Sequence, residues 1–422
     1  MIKQIVDLHI HSKYSRACSP QLELPNIAKA CEQKGINICT TGDFTHPAWF
    51  AHIQNELKEI KNTGLYELKN VQSPTKFVLT TEVSCIYRHK DKVRRVHLVL
   101  IAPNIEAVEK FNAELANKGV NIRSDGRPIM GLSAKEILQI MLNIDPRFVM
   151  IPAHAWTPWF AVFGSKSGYD SLEECFEELT PHIFAIETGL SSDPTMNRRL
   201  KQLDNIVLVS NSDAHSLDKL GREANVFAFG KEEDISFASL IDCIKSNDQN
   251  KFLYTIEFYP EEGMYHIDGH RDCGVSMLLK ESKKNKKICP KCKKELTIGV
   301  LHRVDDLADR EEKDIPTKNF IPHKYIVPLR EIIAEVFQVG VKSKKVEAEY
   351  TNMINNIGNE FHILLDAPDE KIEKQVSNKN IFLGIKNMRV GNVQKNPGFD
   401  GQYGTVKTID KLLMTQKQNK LI

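Results

Sequence analysis

From residue 1 to about 258 the chain repeats one rhythm. A short β-rich apolar run ends on a polar residue, and a stretch with helical spacing follows. The runs are IVDLHIH, INICTTGD, KFVLTTEVS, VHLVLIA, FVMIPAHAW, IFAIETG and IVLVSNSDAH. Between the first two, PQLELPNIAKACEQKG puts Pro25 near a helix start and Gly35 at its stop. Ahead of the fifth, LSAKEILQIMLN offers Ser133 as a cap, with Ile137, Ile140 and Met141 on one face. Strands alternating with helices in this way predict a parallel α/β sheet closed into a barrel.

Polar residues of metal-ligand type fall at the strand ends. His9 and His11 end the first run, Asp43 the second and Glu82 the third. His97 opens the fourth, His154 ends the fifth, Glu187 the sixth, and Asp213 with His215 the seventh. Strand C-termini of a barrel open onto one rim, so these groups are expected to converge there. Any single histidine among them is more often a core or surface residue than a ligand, but recurrence at successive strand ends argues for a cluster. Imidazoles and carboxylates together suit two or three divalent ions, Zn²⁺, Mn²⁺ or Mg²⁺. Neighbouring ions of this kind activate water and neutralise phosphoryl charge in phosphoester cleavage.

A second cluster lies downstream. Cys289-x2-Cys292 is a zinc knuckle, and Cys273 adds a third sulfur. His270 is the expected fourth ligand, with His266 as the alternative. Four ligands would make this a structural Zn²⁺, stapling a segment too small for its own core. Lysines 280, 283, 284, 286, 287, 291, 293 and 294 crowd it; they read equally as a solvated loop or as a grip on a phosphate backbone. Beyond it, PLREIIAEVF and KKVEAEYTNMINNIGNEFHILLDAP carry apolar stripes at helical spacing, and a Gly- and Asn-rich end reads as loops and a short hairpin. The chain of 422 residues therefore divides into a barrel at 1–258, a zinc-knuckle module at 259–305 and a mainly helical region at 306–422.

Composition adds limits. A net charge of +2 confines any nucleic-acid surface to a local patch. No apolar run is long enough to span a bilayer, MIKQIVDLHIH lacks a signal-peptide core, and the scattered cysteines read as reduced thiols, so a cytoplasmic protein without a membrane partner is expected.

The strand-end set resembles the PHP (polymerase and histidinol phosphatase) superfamily of metal-dependent phosphoesterases, through DLHIHSKYS, the Glu82 of LTTEVS and the SDAH of 212–215. That resemblance implies a distorted seven-stranded (β/α) barrel. It implies a first metal on His9, His11, Glu82 and Asp213, a second on Glu82, His97 and His215, and His154 on the remaining one. The second motif departs from the superfamily's usual Thr-Asp-His: Asp43 or His46 could take its role, and Asp43 is favoured by its place at the strand end. Ala17–Cys18 stands where some relatives carry a further ligand. Asp193 is a possible outer ligand or a helix cap, and Glu187 an outer-layer candidate.

The barrel followed by GHRDCGVS, CPKC, LTIGVLHRVDDLADR and PGFDGQYG resembles the endonuclease Q family along essentially the whole chain. That resemblance implies a DNA repair nuclease that cuts 5′ to deoxyuridine, deoxyinosine, deoxyxanthosine or an abasic site, using metal-activated water and leaving 3′-OH and 5′-phosphate ends. Asp213, Glu82 and His154 are then the catalytic candidates. HAWTPWFAVFG supplies Trp156 and Trp159 as stacking candidates for an extruded nucleotide, with core packing as their ordinary role. Lys284, Lys287 and Arg303 are the candidate DNA contacts. The partners are damaged DNA and replication or repair factors, and the chain is expected to act as a monomer. Two rivals use the same barrel: a phosphomonoesterase of histidinol-phosphatase type, and a non-catalytic DNA-binding module.

Overall fold

The computed structural model describes residues 1–316 and 320–409. The seven apolar runs carry the strands Ile2–Asp7, Ile38–Thr40, Lys76–His89, Lys92–Ala102, Val149–Pro152, Ala185–Glu187 and Val207–Val209. They build a mixed α/β fold around one large sheet. Ile2–Asp7 pairs in parallel with Ile38–Thr40, which pairs in parallel with Lys76–His89. On its other side Ile2–Asp7 runs antiparallel to Ala224–Phe229, itself antiparallel to Phe252–Glu257. The strand His323–Tyr325 from the C-terminal part extends that edge in parallel.

The sheet is thus mixed, where the sequence rhythm predicts parallel strands. The largest departure is local. Lys76–His89 and Lys92–Ala102 form one long antiparallel hairpin, turned at Lys90 and Asp91 with φ of 47° and 61°. Both turn residues are left-handed, as the twist of a tight hairpin requires, yet neither is the Gly or Asn that usually announces such a turn. The return strand pairs antiparallel with Val149–Pro152. Ala185–Glu187 and Val207–Val209 form a separate parallel pair.

Helix signals fall where their chemistry puts them. Leu24–Lys34 ends on Gly35 at φ 88°, and Ala134–Ile144 starts from a Ser133–Glu136 capping box. The C-terminal part packs Leu329–Phe337, Lys344–Asn356 and Lys379–Arg389, and closes with the hairpin Gln394–Asn396/Thr405–Lys407. A continuous buried cluster joins Leu24, Ile27 and Cys31 of the first helix to Ile332, Tyr350 and Phe361 of this part. Lys34 reaches across to Glu360 at 3.1 Å, and that carboxylate also accepts from Tyr350 Oη and the Leu329 N–H. A buried ion pair with its remaining lone pairs satisfied fixes register between the two parts.

Residues around the knuckle have only Val275, Met277, Cys289 and Leu296 as a buried cluster of their own. Arg303, on the helix Val300–Leu307, donates to the carbonyls of Phe163 and Tyr169 and to Asp170, so its guanidinium ties this segment to the sheet-bearing part. No helix among the described residues is long and apolar enough to cross a membrane.

Candidate active site

The strand-end residues converge. Beyond Ile2–Asp7, the backbone of Ile10–His11 bridges to Ala214, setting His9 and His11 against Asp213. In the hairpin Glu82 lies opposite Val99 and Ser84 opposite His97, so Glu82 and His97 are diagonal neighbours on one face. The antiparallel return that sequence rhythm does not predict is what brings His97 to Glu82. Asp43, His154 and Asp213 have φ of 48°, 30° and 46°, a strained region for residues other than glycine, and this turns the chain sharply where each strand stops.

Two donor sets share Glu82. His9, His11, Glu82 and Asp213 form one, and Glu82, His97 and His154 the other; in each, one donor atom per residue lies within 4.8 Å of the rest. Glu82 Oε2 is 3.3 Å from His11 Nε2 and 3.7 Å from His9 Nε2, while Oε1 is 2.7 Å from His97 Nδ1 and 3.2 Å from His154 Nε2. Asp213 Oδ1 is 3.1 Å from His11 Nε2. His9 Nε2 is buried with no hydrogen-bond partner, a costly arrangement for a polar atom unless a further ligand takes it. These donors fit divalent cations, and two sets joined by one carboxylate fit a pair of them.

A layer of acceptors orients the imidazoles. Glu187 meets His9 Nδ1 at 3.1 and 3.2 Å and accepts from the His154 N–H at 2.8 Å and from Asn211 Nδ2 at 2.9 Å. Asp43 meets His11 Nδ1 through Oδ1 at 3.2 Å, and its Oδ2 accepts from the Ser12 N–H, Ser12 Oγ and Ser15 Oγ. Thr157 Oγ1 stands 3.2 Å from His154 Nδ1.

The buried imidazoles and carboxylates shift one another. Burial works against protonated His9, yet Glu187 and Asp213 raise its pKa well above the usual value; Asp213, Asp43 and Glu82 do the same for His11. Burial disfavours ionised Glu82, but His97 and Arg127 outweigh it and hold the carboxyl well below its ordinary value. Burial pushes His97 down to about 4, although the Glu82 carboxylate beside it favours the charged imidazole.

Other candidates stand elsewhere. Asp43 lies behind His11 and in neither donor set, because both of its oxygens are already engaged. His46 caps the helix Pro47–Glu56 and stacks on Tyr14. His215 has its ring 4.6 Å from that of His11 but is in neither set, its Nδ1 hydrogen-bonded to the Asp213 carbonyl; His154 takes the place beside Glu82 and His97. Ala17 is exposed, and Cys18 carries a thiol that burial pushes up to about 12. Asp193 caps Pro194–Asn197 and accepts from Tyr325 Oη. Trp156 is buried, its Nε1 donating to Asn197, which leaves no face for a base; half-buried Trp159 meets Tyr265 edge-on. Lys287 pairs with Asp306, and Lys284 ends the helix Leu279–Lys284.

Several contributors escape a sequence reading. Ser12, Ser15, Thr157 and Asn211 act through hydrogen bonds that only the fold creates. Arg127 donates to Glu82 Oε2 at 2.9 Å from the loop of residues 124–128, which ends no apolar run and carries no ligand signal. At the knuckle, His270, Cys273, Cys289 and Cys292 form a third donor group within 4.8 Å, with Cys292 Sγ 3.8 Å from His270 Nε2; His266 is outside it.

Residues 328–392 match the family model of the MJ0043 C-terminal domain. The uncharacterized protein MJ0043 of Methanocaldococcus jannaschii is 31% identical over 259 residues, which are 60% of this chain and 31% of that protein, so the chain spans under a third of that relative. The crystal structure of the lesion-specific endonuclease PfuEndoQ from Pyrococcus furiosus matches 99% of both chains at 31% identity with a TM-score of 0.85. Endonuclease Q in complex with a 27-mer duplex substrate bearing an abasic lesion at the active site matches 98% of both chains at 32% identity, again at 0.85. Fold and sequence agree from end to end, and the chain belongs to the endonuclease Q family.

Proposed function

We propose that this chain is a metal-dependent, lesion-specific endodeoxyribonuclease. It hydrolyses the phosphodiester on the 5′ side of a deaminated base or an abasic site and leaves 3′-hydroxyl and 5′-phosphate ends. The observation that carries this reading is the end-to-end likeness to an endonuclease whose complex holds a lesion duplex at its active site. The two donor sets joined through Glu82 support it, since they offer the multi-carboxylate, multi-imidazole bed that phosphodiester hydrolysis uses. On this reading the large sheet is a PHP-type barrel and the His270–Cys292 group is a structural zinc site.

Divalent cations held by the two sets would polarise the scissile phosphodiester and acidify water. The chain's own residues prepare the bed. Glu187, Asp43 and Thr157 hold the Nδ1 atoms of His9, His11 and His154, so each Nε2 faces the shared carboxylate. Burial of Glu82, His9 and His11 excludes bulk water and strengthens every charge interaction there. Asp213 is the more exposed carboxylate of the group and stands where a substrate would enter.

The test is a comparison of substrates. Protein loaded with Zn²⁺, Mn²⁺ or Mg²⁺ is incubated with a duplex carrying one deoxyuridine, deoxyinosine or abasic site, beside a small phosphomonoester. A nick at the lesion, lost with Asp213→Asn, is the expected result. Phosphate release from the monoester with intact DNA would replace this reading by a phosphomonoesterase.

A further inference from the structure

Arg127 is a permanent cation set among the residues that would hold cations. The backbone fixes it there. Gly126 donates its N–H to the Tyr14 carbonyl at 3.0 Å, and its own carbonyl accepts from Thr45 Oγ1 at 3.3 Å. A Cβ on Gly126 would come within 2.3 Å of Asp43 Oδ2 and 2.4 Å of Ser15 Oγ, so only glycine lets this loop press against the bed of the site. On the far side, the Pro128 carbonyl accepts from the Ser84 N–H, two residues from Glu82. Arg127 is pinned between these anchors.

Its Nη1 donates to Glu82 Oε2, the same oxygen that faces His9 and His11. The side chain is 23% exposed, and a guanidinium carries five N–H donors, so one contact leaves most of the fork for another partner. Glu82 already stands between the guanidinium and the cation bed, and the N–H donors it does not take suit a second anion. A phosphodiester has that charge, and its paired oxygens match the planar fork.

Resting on the endonuclease reading above, we propose that Arg127 is a catalytic residue that grips a non-bridging oxygen of the scissile phosphate and stabilises the charge building on the phosphoryl oxygens. Glu82 is then an anchor for two kinds of cation: it receives divalent ions and it aims the guanidinium at the anion those ions share.

Arg127→Ala and Arg127→Lys are compared with the wild type for bound metal, for affinity toward inorganic phosphate and for kcat on a lesion duplex. With metal content unchanged, Arg127→Ala is expected to lose roughly tenfold or more in phosphate affinity and about 100-fold in kcat. Arg127→Lys keeps the charge without the fork and is expected to recover only part of both. Phosphate binding and kcat within twofold of wild type would overturn the proposal. So would loss of bound metal in Arg127→Ala and Arg127→Lys alike, which would make the arginine a prop for Glu82. If the wild type nicks no lesion duplex but binds phosphate in an Arg127-dependent way, the endonuclease reading fails and the anion contact stands.

Discussion

A single buried carboxylate, Glu187, sets the attitude of two imidazoles, by meeting His9 Nδ1 and by accepting the backbone N–H of His154. A glutamine there would offer one acceptor and one donor to three groups that all donate. Glu187→Gln is therefore expected to weaken cation affinity or activity by about 10- to 100-fold while leaving the fold in place, as measured by metal titration and nicking rate. Glu257 behaves differently. Burial is the main cause of its carboxyl rising to about 8, with Thr255 and Thr188 hydrogen bonds only partly opposing. Its folded pKa lies above the ordinary value of 4.5, so between those values the folded chain holds a proton that the unfolded chain has released. That stabilisation is complete below pH 4.5 and is lost as pH rises through 8. Thermal unfolding across this window is expected to show it, with Glu257→Gln flattening a loss on the order of a few kcal/mol. At this scale the sequence is partly legible. Residue type and strand-end position bring out His9, His11, Glu82, His97, His154 and Asp213. They do not separate a donor facing the bed from Asp43 one layer behind it, because both are carboxylates at strand ends. Trp156 shows the same limit, since an aromatic beside a candidate ligand reads alike whether it faces a cleft or the core.

The apolar runs mark the strands well because strands buried on both faces read as continuous apolar stretches, which residue type states directly. Their directions are not so written. The hairpin of 76–102 turns through Lys90 and Asp91, and Ala224–Phe229 pairs antiparallel with Phe252–Glu257 although the helix Phe237–Ser246 lies between them, a spacing that equally suits a parallel crossover. The knuckle is the opposite case, since CPKC carries its geometry in its spacing. Its four donors gather around a core of only a few residues, so a cation there would contribute folding energy that packing alone does not supply. Cys289→Ser is expected to lose about one bound cation per chain and to unfold several degrees lower, read by metal analysis and a thermal melt. An unchanged melt at full metal content would show that the segment stands without it.

Across the whole molecule, a near-neutral chain of 422 residues concentrates its chemistry where distant segments meet. His9 and Asp213 are brought together by a bridge between Ile10 and Ala214, and Lys34 to Glu360 joins the first helix to the C-terminal part. Such contacts follow from tertiary closure, which local pattern does not encode. The likeness to endonuclease Q over nearly all of the chain says that this closure is shared with a protein that has a lesion duplex at its active site. The central claim is that the Glu82-centred bed cuts DNA beside a lesion. The most direct measurement is strand scission, at single-nucleotide resolution, of a duplex with one abasic site by the wild type and by Glu82→Gln. A single metal-dependent cut immediately 5′ to the lesion, with an extendable 3′ end and no cut by the variant, is the predicted result. An intact duplex under every divalent metal, or equal cutting by both proteins, would contradict the account.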